Sequence, residues 1–232
     1  MNSALNGTYF LQTVDIDLNA TAGYSWTPIG SDDAVDNTYD GLGIYYDGGG
    51  HIIGNVSISS TATRFGIFNE LTAYSGSTSS PYDKNIASVK NLTVIYNQQN
   101  PVTAQYIGGI AAVGGFVSDC EVYNLSSPEY KPTASPSYVG GVVGKYKENK
   151  SSSTIAIGAK VTSCNVYNFS INNCTSSYII YIGGIVGYIN PTEYSNLNSS
   201  TWNHLNNCNV YNMKISDSTI SNEVYIGGII VC

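Results

Sequence analysis

The stretch Tyr181-Ile-Gly-Gly-Ile-Val-Gly187 decides the fold, because close copies of it recur along the chain. The copies are Tyr106-Ile-Gly-Gly-Ile110, Tyr138-Val-Gly-Gly-Val-Val-Gly144 and Tyr225-Ile-Gly-Gly-Ile-Ile230. A second segment precedes three of these stretches, and its cysteine recurs every 44 residues, at Cys120, Cys164 and Cys208. Repetition with a period of this size predicts similar units that pack side by side, as in a solenoid or a propeller.

The cysteine segment favours strands that stack. In Cys164-Asn-Val-Tyr-Asn-Phe169, Cys164 and Val166 share one face of a strand, and the alternation breaks at Asn168 so that Phe169 points inward again. Asparagine tolerates the left-handed conformation that such a corner requires, and identical amides on successive coils can hydrogen-bond to each other. We therefore expect an asparagine ladder at Asn124, Asn168 and Asn212.

Each repeat is expected to form one coil from one cysteine strand and one Gly-Gly strand. Earlier copies without cysteine are Val89-Lys-Asn-Leu-Thr-Val94 and Ile53-Gly-Asn-Val-Ser-Ile58. Loops rich in Ser, Thr, Asn and Pro are predicted between the strands, over residues 73–83, 126–137, 145–159, 172–177 and 190–206. No helical period persists, so the chain is predicted to be all-β.

Composition excludes several functions. Only 9 Lys and Arg accompany 16 Asp and Glu among 232 residues, so the basic surface that nucleic-acid binding needs is missing. No apolar run approaches the length of a membrane span, and no secretory signal is visible at the start. The apolar content of 42% is too high for a disordered chain.

The N-terminal series strengthens the assignment by resemblance. Tyr9-Phe-Leu-Gln-Thr-Val-Asp-Ile-Asp-Leu18, Trp26-Thr-Pro-Ile-Gly30, Asp47-Gly-Gly-Gly-His51 and Arg64-Phe-Gly-Ile-Phe68, with the Gly-Gly repeats, are similar to the GLUG-motif repeat family of bacterial and archaeal surface proteins. That family includes adhesins, and its fold is a right-handed parallel β-helix. The resemblance implies a β-solenoid with long variable loops, in which residues 1–60 form an N-terminal capping segment and first coil and residues 61–232 form the repeats.

Residues suited to catalysis or metal binding are sparse. Acids cluster near the start, at Asp15, Asp17, Asp32, Asp33, Asp36, Asp40 and Asp47, and we interpret them as turn residues rather than as paired glycosidase carboxylates. A calcium site built from Asp32, Asp33 and Asp36 is the weak alternative, and no other cofactor is expected. His51 and His204 belong to no zinc motif, and no nucleophile motif occurs, so the chain is predicted not to be an enzyme.

Tyrosines and cysteines repeat in register. Tyr123, Tyr167 and Tyr211 fall on the face opposite the cysteines and predict an exposed aromatic stripe, which either packs as a structural ladder under the loops or stacks against sugar rings. Cys120, Cys164 and Cys208 are predicted to form a buried column of thiols that pack as small apolar side chains.

Nine Asn-x-Ser/Thr sequons and the low charge favour an extracellular or cell-surface location. We expect glycans at Asn149, Asn173 and Asn198, which fall in predicted loops, and none at the ladder positions. The favoured function is a non-catalytic adhesive module that displays loops on a rigid rod and binds a carbohydrate or protein ligand on a cell surface. The alternatives are a subunit of an extracellular filament and, third, a polysaccharide-active β-helix enzyme.

The segment Tyr225 to Cys232 is an apolar strand with no polar cap after it. The edge of such a strand needs a cover. We expect either that the chain continues into a further coil or that the N-terminal segment of a neighbouring copy docks there head to tail.

Overall fold

The computed structural model describes residues 8–19, 22–30, 43–71, 87–98, 100–146, 149–151, 155–157, 160–189 and 205–231. These residues form 28 short strands, and no α-helix occurs among them. The described residues contain no helix with the length and apolar character needed to cross a bilayer.

The strands follow each other around successive coils, numbered here from the N-terminus. Coil 1 holds β1 (Tyr9–Leu11) and β2 (Ile16–Asp17); coil 2 holds β3 (Tyr45–Asp47), β4 (Ile52–Val56), β5 (Arg64–Phe65) and β6 (Phe68–Leu71). Coil 3 holds β7 (Ser88–Lys90), β8 (Thr93–Tyr96), β9 (Tyr106–Gly108) and β10 (Ala111–Gly114). Coil 4 holds β11 (Phe116–Ser118), β12 (Glu121–Tyr123), β13 (Ser126–Ser127), β14 (Ser137–Gly140) and β15 (Val143–Lys145).

The second half of the chain adds a hairpin and two coils. The hairpin is β16 (Asn149–Ser151) and β17 (Ile155–Ile157), whose strands are antiparallel. Coil 5 holds β18 (Lys160–Thr162), β19 (Asn165–Tyr167), β20 (Ser170–Asn172), β21 (Thr175–Ser176), β22 (Ile180–Gly183) and β23 (Val186–Tyr188). Coil 6 holds β24 (Leu205–Asn206), β25 (Asn209–Tyr211), β26 (Lys214–Ser216), β27 (Thr219–Ile220) and β28 (Val224–Gly227).

Each strand of a coil pairs with its equivalent in the coils above and below. The sheets are β1-β3-β7-β11-β18-β24 (sheet 1), β2-β4-β8-β12-β19-β25 (sheet 2), β13-β20-β26 (sheet 3), β21-β27 (sheet 4), β5-β9-β14-β22-β28 (sheet 5) and β6-β10-β15-β23 (sheet 6). Pairing within these six sheets is parallel; one example is the pairing of Val122 in β12 with Val94 in β8 and Val166 in β19. The fold is therefore a parallel β-helix, which confirms the all-β solenoid predicted from the repeats.

Inward-facing side chains form columns that run along the axis. In sheet 2, Val94, Val122 and Val166 are fully buried one above another, and Val210 continues the column in coil 6. Sheets 1, 5 and 6 contribute similar columns of Val, Ile, Leu and Phe. Each coil therefore buries its apolar face mainly against its neighbours, as expected for a solenoid.

The Gly-Gly pair is required by close contact between coils. A Cβ atom on Gly109 would lie 2.6 Å from Val122 Cγ1, and one on Gly141 would lie 2.8 Å from Val166 Cγ2. Each would also meet the backbone oxygen of the equivalent glycine in the next coil, Gly141 O and Gly184 O respectively. Only glycine fits there, which explains why the motif recurs.

Non-glycine residues with positive φ mark the corners. Between sheets 1 and 2 they are Asn91, Asp119, Ser163 and Asn207, and after sheet 2 they are Asn124, Asn168 and Asn212, while Asn55 lies at the bulge inside β4. Asn168 Nδ2 donates to Asn124 Oδ1 at 3.0 Å, and Asn212 Nδ2 donates to Asn168 Oδ1 at 3.1 Å. The three corner amides thus form one hydrogen-bonded ladder across coils 4, 5 and 6.

We expect Asn168→Ala to lower the free energy of unfolding by about 2 to 3 kcal/mol. The substitution removes two ladder hydrogen bonds, each worth roughly 1 kcal/mol, and places alanine at a left-handed φ, which costs about 1 kcal/mol. Asn168→Gly removes the same bonds but tolerates the φ, so it should cost less. Urea unfolding measures both variants, and equal losses would show that the left-handed corner contributes nothing.

Three sequence predictions require correction. A coil from coil 2 onward contains four to six strands rather than two, because a separate strand precedes each sheet 2 strand and most Gly-Gly stretches form two strands. Polar residues such as Ser126 and Thr175 also form strands β13 and β21, where loops were predicted over 126–137 and 172–177. Part of the predicted loop 145–159 is the hairpin β16–β17. Short strands of Ser, Thr and Asn do not show the apolar alternation that identifies a strand in a sequence.

The alignment of the first repeats was also wrong. Ile53 pairs with Val94, so the segment 53–58 is equivalent to the sheet 2 strand β8 and not to the whole segment 89–94. A left-handed asparagine occurs both before the sheet 2 strand of coil 3, at Asn91, and at the bulge of β4, at Asn55, and the two positions look alike in sequence. Coil 2 continues from β4 to β5 through residue 60.

The final coil is more exposed than the coils above it. Ile226 is 59% exposed, whereas its partner Ile182 in the coil above is 1% exposed. The predicted apolar edge at the C-terminal strand is therefore an exposed surface in this structure. Val231, in contrast, is buried.

Candidate binding groove at the corner of sheets 1 and 2

A groove of about 560 Å³ runs along the corner between sheets 1 and 2. Coils 2 to 5 each contribute polar groups or glycines to this corner groove. Its lining consists of Asp47, Gly49 and Gly50 from coil 2, Asn91 and Thr93 from coil 3, Asp119 and Glu121 from coil 4, and Ser163 and Asn165 from coil 5. The lining residues are oxygen-rich, and the volume lies within the range of small-ligand sites.

The corner places these side chains side by side. Asn91, Asp119 and Ser163 adopt φ values of 52°, 53° and 51°, so each turns the chain from sheet 1 into sheet 2 at the same point of its coil. Two residues later, Thr93 pairs with Glu121, and Glu121 pairs with Asn165, in the parallel register of sheet 2. Side chains at equivalent positions of a parallel sheet repeat about every 4.8 Å along the axis.

Asp47 is the buried acid at the upper end of the groove. Its Oδ1 accepts hydrogen bonds from Gly49 N and Asn91 Nδ2, both at 3.0 Å. Its Oδ2 accepts a hydrogen bond from the Tyr9 hydroxyl at 2.9 Å and lies 3.0 Å from Lys90 Nζ. Burial alone would raise the pKa of Asp47, but these four donors outweigh burial and hold the pKa well below its ordinary value.

The two acids of coil 4 have different surroundings. Asp119 is exposed at the corner, and Glu121 is half-buried on the outer face of sheet 2. Glu121 Oε2 accepts a hydrogen bond from the Tyr123 hydroxyl at 3.0 Å. Burial, followed by this bond to a carboxylate, raises the pKa of Tyr123 to about 12, so the hydroxyl keeps its proton and orients Glu121 at neutral pH.

Tyr123, Tyr167 and Tyr211 form the aromatic stripe beside the groove. The ring centroids of Tyr123 and Tyr167 are 4.5 Å apart and those of Tyr167 and Tyr211 are 4.9 Å apart, with interplanar angles of 11° and 10°. Both faces of Tyr167 are therefore covered by its neighbours. Because a sugar stacks on an open ring face, the stripe offers ring edges and hydroxyls along its length instead.

A second tyrosine column lies on sheet 5. It contains the tyrosines that open the Gly-Gly repeats: Tyr106, Tyr138, Tyr181 and Tyr225, with successive centroids 5.5, 5.5 and 4.9 Å apart. Arg64 lies over Tyr106, and Lys145 lies over Tyr138. The repeated Tyr-x-Gly-Gly motif of the sequence contains this column.

The cysteine column lies inside sheet 2. Cys120 and Cys164 are fully buried and Cys208 is half-buried, and the described residues contain no disulfide. Each thiol donates to the carbonyl two residues earlier, at 3.1 Å from Ser118 O, 3.2 Å from Thr162 O and 3.3 Å from Asn206 O. The hydrogen bond between Cys120 and Cys164, together with burial, raises the pKa of Cys164, so its thiol stays protonated and unreactive.

Other predicted sites are placed as follows. Asp15 accepts hydrogen bonds from Ile52 N and from His51, and Asp17 accepts them from Asn19 N and Asn55. Asp32, Asp33, Asp36, Asp40, His204 and Asn198 lie outside the described residues. In the ranges that the structure does describe, no three His, Cys, Asp or Glu side chains form a group able to hold a metal ion.

Two sequon positions differ from their predicted loop locations. Asn173 lies at a left-handed corner between β20 and β21, and its Nδ2 donates to Pro128 O at 3.0 Å. Asn149 is the first residue of strand β16. The Asn173 side chain is therefore hydrogen-bonded within the fold. The ladder asparagines, at which no glycan is expected, are bonded in the same way.

The corner groove was missed in the sequence because its acids come from different repeats. The acids cluster visibly only near the N-terminus, whereas Asp119 and Glu121 flank Cys120 in a single repeat. A register alignment of the cysteine segments would have placed Asp119 with Asn91 and Ser163, and Glu121 with Thr93 and Asn165. That alignment is the signal that could have located the groove.

Comparisons with known proteins give little more. No family model matches the sequence, and no curated protein matches it. Among solved structures, the chain is similar to the crystal structure of a "putative immunoglobulin A1 protease" from Bacteroides ovatus, with 19% identity and a TM-score of 0.49. The match covers 100% of this chain and 80% of that one.

Proposed function

We propose that the chain is a non-catalytic extracellular binding module, in which a rigid β-solenoid rod presents loops and the corner groove to a carbohydrate or protein ligand on a cell surface. The observation that carries the proposal is the groove itself, since four successive coils place polar side chains in register on one wall. Stacked coils hold these groups in fixed positions, so little ordering is needed on binding.

The surface chemistry supports an extracellular role. The chain has a net charge of −7 with only 11% charged residues, and amides, hydroxyls and tyrosines dominate its polar surface. The similarity of the N-terminal series to the GLUG-motif repeats of surface proteins supports the same location. The proposed adhesive function needs no cofactor.

A polysaccharide-active enzyme is the second candidate, because the groove brings Asp47, Asp119 and Glu121 to one wall. Glycoside hydrolysis requires one carboxylic acid that keeps its proton near neutral pH and one carboxylate. Asp47 suits only the second role, because its four donors hold it ionised. We favour binding without catalysis on this ground.

The filament alternative meets a geometric difficulty. Coil 6 contains strands of sheets 3 and 4, β26 and β27, whereas the described part of coil 1 contains regular strands in sheets 1 and 2 and then isolated bridges from Trp26 to Ile58 and from Ile29 to Phe68. A second copy docking head to tail through these strands would leave the half-buried Ile215 and Ile220 of coil 6 without a partner strand. A stable filament would need that surface covered.

The test is a binding screen of the purified chain against immobilised glycans and extracellular proteins, with a parallel assay for new reducing ends. We expect saturable binding to at least one surface ligand and no release of sugar. Release of reducing ends from a bound polysaccharide would overturn the non-catalytic proposal. A chain that binds nothing and elutes as long assemblies would favour the filament.

A further inference from the structure

We infer that the corner groove binds a neutral oligosaccharide chain laid parallel to the β-helix axis and held by hydrogen bonds rather than by ring stacking. This inference rests on the proposed binding function and assigns its ligand class and its site. The length of the groove along the axis limits the shape of its ligand. The groove crosses four coils, which spans roughly 14 Å at the spacing of paired strands, so it suits an elongated ligand.

The carboxylates that line the groove limit the charge of its ligand. The groove contains three carboxylates, and Lys90 at its margin is already paired with Asp47. Asp119 and Glu121 would repel phosphate, sulfate or uronate groups, so nucleic acids and acidic polysaccharides are disfavoured. A neutral ligand rich in hydroxyl groups can donate to these carboxylates without any charge penalty.

The spacing of side chains along the groove distinguishes a sugar chain from a peptide as the ligand. Equivalent side chains in the groove repeat about every 4.8 Å, whereas side chains on one face of an extended peptide repeat about every 6.6 Å. A peptide along the axis would therefore lose register within two coils. A peptide aligned with the strands would need a free strand edge, but β8, β12 and β19 are each paired on both sides. Sugar hydroxyls, which both donate and accept in many directions, do not have this constraint.

Hydrogen bonds between neighbouring side chains orient the polar groups of the groove. Glu121 Oε2 accepts a hydrogen bond from the Tyr123 hydroxyl, which orients a carboxylate that lines the groove. Asn165 Oδ1 receives Asn209 Nδ2 at 3.0 Å, which leaves the Asn165 amide group to donate. The neighbouring tyrosine rings cover one another's faces, so the polar side chains that line the corner groove must provide the affinity and the selectivity for the ligand.

The test uses Asp119→Asn/Glu121→Gln in the full chain. Asparagine suits the left-handed corner, as Asn91 and Asn207 show at the same position, so the fold should persist. The matched control is Glu129→Gln/Glu223→Gln, which removes the same charge at residues that do not line the groove. Calorimetry with neutral glucan, mannan and galactan hexasaccharides, and with an oligogalacturonate, should show binding of a neutral chain only. The groove variant should bind about tenfold or more weakly, because two charge-assisted hydrogen bonds weaken, and the control should bind normally.

Each outcome decides a separate point. Equal binding by the groove variant and the wild-type chain would overturn the groove assignment but leave a binding module. Binding to proteins without binding to any neutral oligosaccharide would overturn the ligand class alone. Shortening of a bound oligosaccharide would support the ligand class and overturn the non-catalytic function.

Discussion

Gly141→Ala is expected to destabilise the chain by about 3 kcal/mol or more, a large effect for a single methyl group. The new Cβ would meet Gly184 O of the next coil and would lie 2.8 Å from Val166 Cγ2. The carbonyl belongs to the backbone and Val166 is fully buried, so neither can move without separating coils 4 and 5. Urea unfolding followed by circular dichroism measures the loss.

The chain contains its own control for this experiment. Gly228 is the equivalent glycine of coil 6, and a Cβ built there meets nothing within 4 Å. Gly228→Ala should therefore leave stability unchanged or raise it by up to about 1 kcal/mol, because alanine restricts the unfolded chain. Similar losses in both variants would show that the motif needs glycine for its backbone conformation and not for contact between coils.

The repeats allowed the fold to be predicted because they express it in three independent ways. The Gly-Gly pair marks where coils touch, the alternation around Val166 marks the buried face, and Asn168 marks the corner. These signals depend on local sequence and on contact with an identical unit, so one repeat contains them all.

The remaining features depend on registers that the sequence does not display. Strands such as Ser126–Ser127 and Thr175–Ser176 lack apolar alternation, and they form because the following coil offers each of them a parallel partner strand. The corner groove requires knowing that Asp47 in coil 2 and Asn91 in coil 3 are neighbours, although they are 44 residues apart. Loops of different length separate the coils, so sequence distance does not predict which polar residues meet.

Asp47 joins the first three coils. Its acceptor oxygens contact Tyr9 of coil 1 and Asn91 and Lys90 of coil 3, and it is 8% exposed. Removing a buried carboxylate leaves its donors without their acceptor and a lysine without its counter-ion. Asp47 therefore links coils 1, 2 and 3 through one carboxylate, beside the contacts that Gln12, Asp15 and Asp17 of coil 1 make with coil 2.

We expect Asp47→Asn to lower the free energy of unfolding at pH 7 by about 2 to 4 kcal/mol. The amide can accept on one side only, so its NH₂ group must face either Tyr9 and Lys90 or Gly49 and Asn91, all of which are donors. Asp17→Asn is the matched control, because Asp17 is an exposed acid in coil 1 that accepts from Asn55 and Asn19. A loss no greater than that of the control would contradict the central role of Asp47.

The difference between the wild-type chain and Asp47→Asn should shrink in acid. The pKa of Asp47 is lower in the folded chain than the ordinary aspartate value of about 3.9, so its contribution is complete above that value and is lost as the pH falls below it. Hydrogen bonds lower the pKa of Asp15 and Asp17 as well, but both acids are present in each protein and cancel in the difference. Unfolding free energies measured in steps from pH 7 to pH 2 should therefore be parallel above about pH 5 and converge below about pH 4. A difference that stays constant down to pH 2 would show that Asp47 has the same pKa folded and unfolded, and that its four donors do not hold the carboxylate ionised.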